Sequence, residues 1–94
     1  MMLRGIPYKN YPILFVDDEP AALFALQGLF GDDFTIHLAI GGDEALRMIH
    51  ARPEIALVIS DQRMPQMSGL ELVADISERY PRIITMLLTG CTDL

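Results

Sequence analysis

Three apolar runs in this chain each end in a carboxylate or a hydroxyl. Ile13-Leu14-Phe15-Val16 leads into Asp17-Asp18-Glu19, Ala56-Leu57-Val58-Ile59-Ser60 into Asp61, and Ile83-Ile84-Thr85-Met86-Leu87-Leu88 into Thr89. Near-continuous apolar runs of this length suit strands buried on both faces of a parallel sheet, because crossover helices cover both sides of such a sheet. Open sheets of this kind take their ligands in the crevice beyond the carboxyl ends of the strands. Acids from two strand ends, with a hydroxyl from a third, are expected to meet there.

Helical patterns separate the runs. After a first strand over 11–16, Pro20 sits where the first turn of a helix tolerates a missing amide. Leu23, Leu26 and Phe30, with Ala22 and Leu29 beside them, recur at helical spacing, and Gly31 is expected to stop the helix. Phe34, Ile36 and Leu38 then alternate with Thr35 and His37, the pattern of a half-exposed strand at a sheet edge. Gly41-Gly42 breaks the chain before Asp43, expected to cap a helix carrying Ala45, Leu46 and Ile49 that closes before Arg52-Pro53. The next strand runs to Asp61, and 62–67 reads as a loop containing Pro65. Ser68-Gly69-Leu70-Glu71 matches a capping box for a third helix bearing Leu72, Val73 and Ile76, ended by Tyr80-Pro81. The fourth strand, 83–88, leaves only Gly90-Cys91-Thr92-Asp93-Leu94.

The order is β-α-β-α-β-α-β, with connections short enough to require right-handed crossovers over a parallel sheet. An alternating second strand belongs at one edge, beside the first, with the third and fourth on the first strand's other side. The expected fold class is α/β, a doubly wound parallel sheet of order 2-1-3-4. The order reverses between strands one and three, which places Asp17, Asp18 and Asp61 at the topological switch point.

Ninety-four residues allow one domain. Thirteen acids against seven scattered bases give a net charge of −6, which argues against direct nucleic-acid binding. No stretch is long and apolar enough to span a bilayer, and residues 1–10 lack the apolar centre of a signal peptide. Cys91 is the lone cysteine, so a reducing compartment and a cytoplasmic location are expected.

Three carboxylates held close raise one another's pKa unless a cation compensates. All-oxygen ligands with room for water suit Mg²⁺ or Mn²⁺ better than zinc, which prefers His and Cys. A cation there would shield an incoming phosphoryl group and leave one aspartate as nucleophile, and an acyl phosphate on Asp is established enzyme chemistry. Taken alone, Asp17, Asp18 and Glu19 also suit the positive N-terminus of the first helix.

Asp17-Asp18-Glu19-Pro20, Ser60-Asp61-Gln62-Arg63-Met64-Pro65-Gln66-Met67-Ser68-Gly69 and Leu88-Thr89-Gly90, each after an apolar strand, together resemble the receiver domain of two-component response regulators. Gly42-Asp43-Glu44-Ala45-Leu46 resembles the family's second-helix start, and the likeness runs from Ile13 to Thr89. The resemblance implies a flavodoxin-like receiver fold in which Asp61 accepts phosphate from the phosphohistidine of a sensor histidine kinase or phosphotransfer protein. It implies that Asp17, Asp18, Asp61 and the backbone carbonyl of Arg63 hold Mg²⁺, and that Thr89 contacts the phosphoryl oxygen and shifts on phosphorylation. A signalling domain of this kind catalyses only its own phosphorylation.

Departures from the pattern set further expectations. The fifth strand, its lysine and the last helices of the family are not in this sequence, so the chain reads as a receiver incomplete at its C-terminus. Lys9, the single lysine, precedes the first strand, and Arg63 is the nearest substitute cation to Asp61 in sequence. The alternative reading is a pseudo-receiver that dimerises or docks without phosphotransfer. A phosphohydrolase of similar topology resembles an Asp-x-Asp motif, and Asp61-Gln62-Arg63 lacks the second acid. Finally, 83–89 has neither lysine nor proline to discourage strand pairing, so self-association through the fourth-strand edge is expected.

Overall fold

The alternation of apolar runs and amphipathic stretches resolves, in a computed structural model that describes residues 7–89, into four parallel strands and three α-helices. They are β1 (Ile13–Val16), α1 (Pro20–Phe30), β2 (Ile36–Ala39), α2 (Gly42–Ala51), β3 (Leu57–Asp61), α3 (Gly69–Arg79) and β4 (Ile84–Leu88). The strand order is β2-β1-β3-β4, all pairs parallel, as the connection lengths and strand polarity require. Gly90, Cys91 and the rest of the expected C-terminal tail lie outside the described residues, as do residues 1–6.

Because successive strand side chains point to opposite faces, each strand divides its residues between two layers. Leu14 and Val16 of β1, Val58 of β3 and Ile83 pack with Ala45 and Ile49 of α2 and Leu72 and Ile76 of α3 in one buried cluster. The other face carries Phe15, whose ring stacks on Phe30 of α1 at 6.2 Å, and Phe30 meets Phe34 edge-on at 6.3 Å. Aromatic pairs of this geometry add to simple area burial, though Phe30 itself stays partly open to solvent.

The second layer is only half covered. Among the described residues α1 packs on β1 and β2, while Ile84, Met86 and Leu88 of β4 pair in register with Leu57, Ile59 and Asp61 and stay 66%, 50% and 48% exposed. The apolar run predicted a strand buried on both faces. Only the α3 face of β4 is covered, because no helix among the described residues lies over the other.

Several local expectations also differ from the structure. Asp43 does not cap α2: Gly41, in extended conformation, holds the N-cap position without a side-chain bond, and Asp43 falls in the first turn, where its charge favours the helix dipole. A Cβ on Gly42 would lie 2.4 Å from the Met67 sulfur, so a larger residue there would have to displace that side chain. Gly31 does stand at the C-cap of α1, as expected of a stop, but in right-handed conformation: its φ is −63° and its amide donates to the Gln27 carbonyl at 2.8 Å. Of the apolar positions on α1 only Leu23 is buried, and Phe24 and Leu29 are 80% and 71% exposed. β1 starts at Ile13 because Tyr11 closes a 3₁₀ turn over Tyr8–Asn10 instead. His37 on β2 is half-buried; partial burial first, then the Arg52 charge, lowers its pKa against the opposing pull of Glu54.

Candidate functional site

The ladder itself delivers the first acid. The Asp17 amide donates to the Ala39 carbonyl at 3.1 Å, one step beyond the last β1–β2 register pair. Its carboxylate Oδ1 then accepts the Glu19 amide at 3.0 Å, a turn that sends the chain into Pro20 at the head of α1. Asp61 closes β3 two strands away from β2, beside β1. One carboxylate oxygen each from Asp17, Asp18 and Asp61 lies within 4.8 Å of the others.

That proximity has an electrostatic cost. Burial raises the Asp17 pKa above the ordinary carboxylate value, and the negative charges of Asp61, Asp18 and Glu19 push it further, while the Glu19 amide bond opposes them. The donor set is all oxygen and partly open to water. Oxygen ligands of one Mg²⁺ lie roughly 3–4 Å apart, so small side-chain movements would gather these three around a hard divalent cation. The residues therefore fit the group the sequence resemblance implies.

The peptide segment around Asp61 is pinned from several sides. Fully buried Ser60 donates its hydroxyl to the Asp61 carbonyl at 2.9 Å. The Gln62 amide donates to Leu88 at 3.2 Å, and its carbonyl accepts from the Gly69 amide at 3.1 Å. The Gln62 side-chain Oε1 accepts from the Leu70 amide at 2.8 Å. Ser68 and Glu71 form the predicted capping box, with bonds of 3.1 and 3.0 Å. The reading of 62–67 as a loop containing Pro65 gives Gln62 and Gly69 no role at the site. The available signals were an amide side chain directly after a strand-terminal acid and a glycine at the first helical position.

Thr89 follows Leu88, the register partner of Asp61, and is exposed at the strand end. Arg63 is exposed, two residues beyond Asp61. Lys9 stands at the opposite end of the sheet, where its carbonyl accepts the Thr35 hydroxyl at 2.9 Å. Met64 and Met67 pack against the core. A cleft of about 370 Å³ is lined by Ile40, Arg47, Met64 and Met67, and by none of Asp17, Asp18 and Asp61.

Comparison with known proteins bears on the family and the fold. The sequence pattern of the response regulator receiver domain matches residues 13–94. The chain is 32% identical over 85 residues to the hydrogenase transcriptional regulatory protein HoxA of Cupriavidus necator, covering 90% of this chain and 17% of that protein. Among solved structures, the signal receiver domain of an HD domain-containing protein from Pseudomonas fluorescens Pf-5 superposes with a TM-score of 0.82 at 40% identity, over 90% of this chain and 68% of that one. A chain of the CheX–CheY–BeF3–Mg²⁺ complex from Borrelia burgdorferi superposes with a TM-score of 0.78 at 28% identity, over 92% of this chain and 69% of that one. By pattern, by relatives and by fold, this chain belongs to the receiver domains of two-component response regulators.

Proposed function

We propose that this receiver binds Mg²⁺, or Mn²⁺ in its place, through Asp17, Asp18, Asp61 and the Arg63 carbonyl, and is phosphorylated on Asp61 by a sensor histidine kinase or phosphotransfer protein. The observation that carries the reading is the approach of three carboxylates to within 4.8 Å at the switch point of the sheet. When bound, the cation supplies charge neutralisation for a phosphoryl group entering an otherwise anionic site. The Asp61 carboxylate attacks phosphorus; the P–N bond to the donor histidine breaks as the new P–O bond forms, and the leaving imidazole takes up a proton. Thr89 donates its hydroxyl to a phosphoryl oxygen.

Acetyl phosphate or phosphoramidate with Mg²⁺ tests the reading by intact mass. A gain of one phosphoryl group that disappears in Asp61→Asn is expected, and Asp18→Asn should weaken Mg²⁺ binding steeply. Absence of labelling with both donors would favour a pseudo-receiver that docks without phosphotransfer.

Self-association of this chain is the second part of the proposal, and the exposure of Ile84, Met86 and Leu88 on an edge strand supports it. A symmetric dimer formed through β4 would cover these side chains. Sedimentation showing a compact, cooperatively folding monomer at micromolar concentration would overturn it.

A further inference from the structure

The first amides of a helix have no intrahelical acceptor and must find one elsewhere. In α3 the Glu71 amide goes to Ser68, within the capping box, but the Gly69 and Leu70 amides both go to Gln62, the first to its carbonyl and the second to its side chain. Gln62 also reaches the other way, donating its own amide to Leu88 at the end of β4. One residue, placed between Asp61 and Arg63, thus joins α3, β3 and β4.

From this we infer that Gln62 is a positioning residue for the phosphoacceptor site: its side-chain amide, anchored on the Leu70 N–H, holds the backbone of Asp61 and Arg63 in the arrangement that the metal site needs. The inference rests on the Mg²⁺ reading above. Its two backbone bonds would survive in any residue able to follow the same path, so the side chain's separate contribution is the 2.8 Å bond to Leu70. That bond spans the loop between the last residue of β3 and the second of α3 and closes it at its base. Without it the Leu70 amide loses its acceptor, and the segment carrying the Arg63 carbonyl is tied to α3 by the Gly69 backbone bond alone at this point. The helix itself keeps the Ser68–Glu71 box, so it persists. Ser68→Ala is therefore a matched control, because it removes a cap bond from the same helix end without touching the residue between Asp61 and Arg63.

The experiment compares the wild-type chain with Gln62→Met, Gln62→Glu and Ser68→Ala by amide NMR, hydrogen exchange and Mg²⁺ titration. Gln62→Met keeps the side-chain length but has no amide acceptor; Gln62→Glu keeps an acceptor for Leu70. Gln62→Met should weaken Mg²⁺ binding roughly tenfold, the lower end of what loss of an outer-shell partner costs a metal site. It should also move the metal-free amide signals of Asp61, Arg63 and Leu88, and Gln62→Glu should restore the exchange protection of Leu70. Ser68→Ala should change Mg²⁺ affinity little and leave the Asp61 signals in place. Equal effects of Gln62→Met and Ser68→Ala on Mg²⁺ affinity, or unmoved Asp61 and Arg63 signals in Gln62→Met, would overturn the inference. If the wild-type acids do not respond to Mg²⁺ at all, the metal reading fails by itself, and the metal-free shifts of Asp61 and Arg63 still decide the role of Gln62.

Discussion

Gly69 lies against the backbone of Asp61: a Cβ on Gly69 would sit 2.3 Å from the Asp61 carbonyl oxygen and 2.5 Å from the Leu87 side chain. The head of α3 is therefore packed directly on the residue that the proposal makes the phosphoacceptor. No side chain of any size fits between them.

Gly69→Ala should for that reason destabilise the protein. Alanine gains about 1 kcal/mol over glycine in a helix, but overpacking against a backbone atom that cannot rotate away costs about 1–3 kcal/mol, so the clash should win or at best break even. Urea unfolding should show a lower midpoint, and the Asp61 amide signal should shift. A stabilised variant with an unmoved Asp61 signal would mean that α3 yields easily.

Asp17 makes stability depend on pH in a defined direction. Its folded pKa is raised above the ordinary value of 3.8, so the folded state binds the proton more tightly than the unfolded one. In the metal-free protein its ionisation therefore lowers stability as pH rises from about 3.8 through the folded value, and the penalty stays constant above that. Asp17→Asn should be more stable than the metal-free wild type at neutral pH, with the difference closing towards pH 3.8, while losing Mg²⁺ affinity. Thermal melts across this range, with and without Mg²⁺, test both halves.

The capping box titrates the opposite way. The Ser68 amide bond, then its hydroxyl, lowers the Glu71 pKa below 4.5, so the contribution of Glu71 is fully present above pH 4.5 and is lost as pH falls through the folded value. Glu71→Gln should match the wild type in acid and fall behind it at neutral pH. Ser68→Ala should cost about 1 kcal/mol throughout the neutral range. Chemical denaturation at two pH values separates the two effects.

Phosphorylation of this 94-residue chain by small donors should be slow. Lys9 is its only lysine, and it sits at the amino end of the strands, away from Asp61. An ammonium that would neutralise the phosphoryl charge is then not supplied by lysine. Time-resolved intact mass with acetyl phosphate would show gradual labelling; rapid stoichiometric labelling would show that the neighbouring Arg63 or the cation alone suffices.

Met86→Lys should reduce self-association. Met86 is half exposed at the centre of the bare strip on β4, and a lysine there would put a solvated charge into any apolar contact formed by Ile84 and Leu88. Light scattering should show a lower mean mass for the variant at matched concentration. An unchanged mass would place the contact elsewhere.

How much of this was legible in the chain depends on the range of the interaction concerned. Pro20 at the start of α1, the Ser68–Glu71 box and the apolar runs act within a few residues, and each marks an element that the structure contains. Short crossovers and one alternating strand then leave 2-1-3-4 as the economical sheet order, and that order carries Asp17, Asp18 and Asp61 to one end. The assignments that did not hold depended on neighbours distant in sequence. Asp43 has the chemistry of a cap, but the approach of Met67 to Gly42 accompanies a helix that starts two residues earlier. Ile84, Met86 and Leu88 are as apolar as any core strand, yet their exposure is decided by where α1 lies, over β1 and β2. Gln62 is marked in the chain only as an amide side chain directly after a strand-terminal acid: its partners Leu70 and Leu88 lie on other elements, and only the packing of α3 and β4 around β3 gives that side chain something to hold.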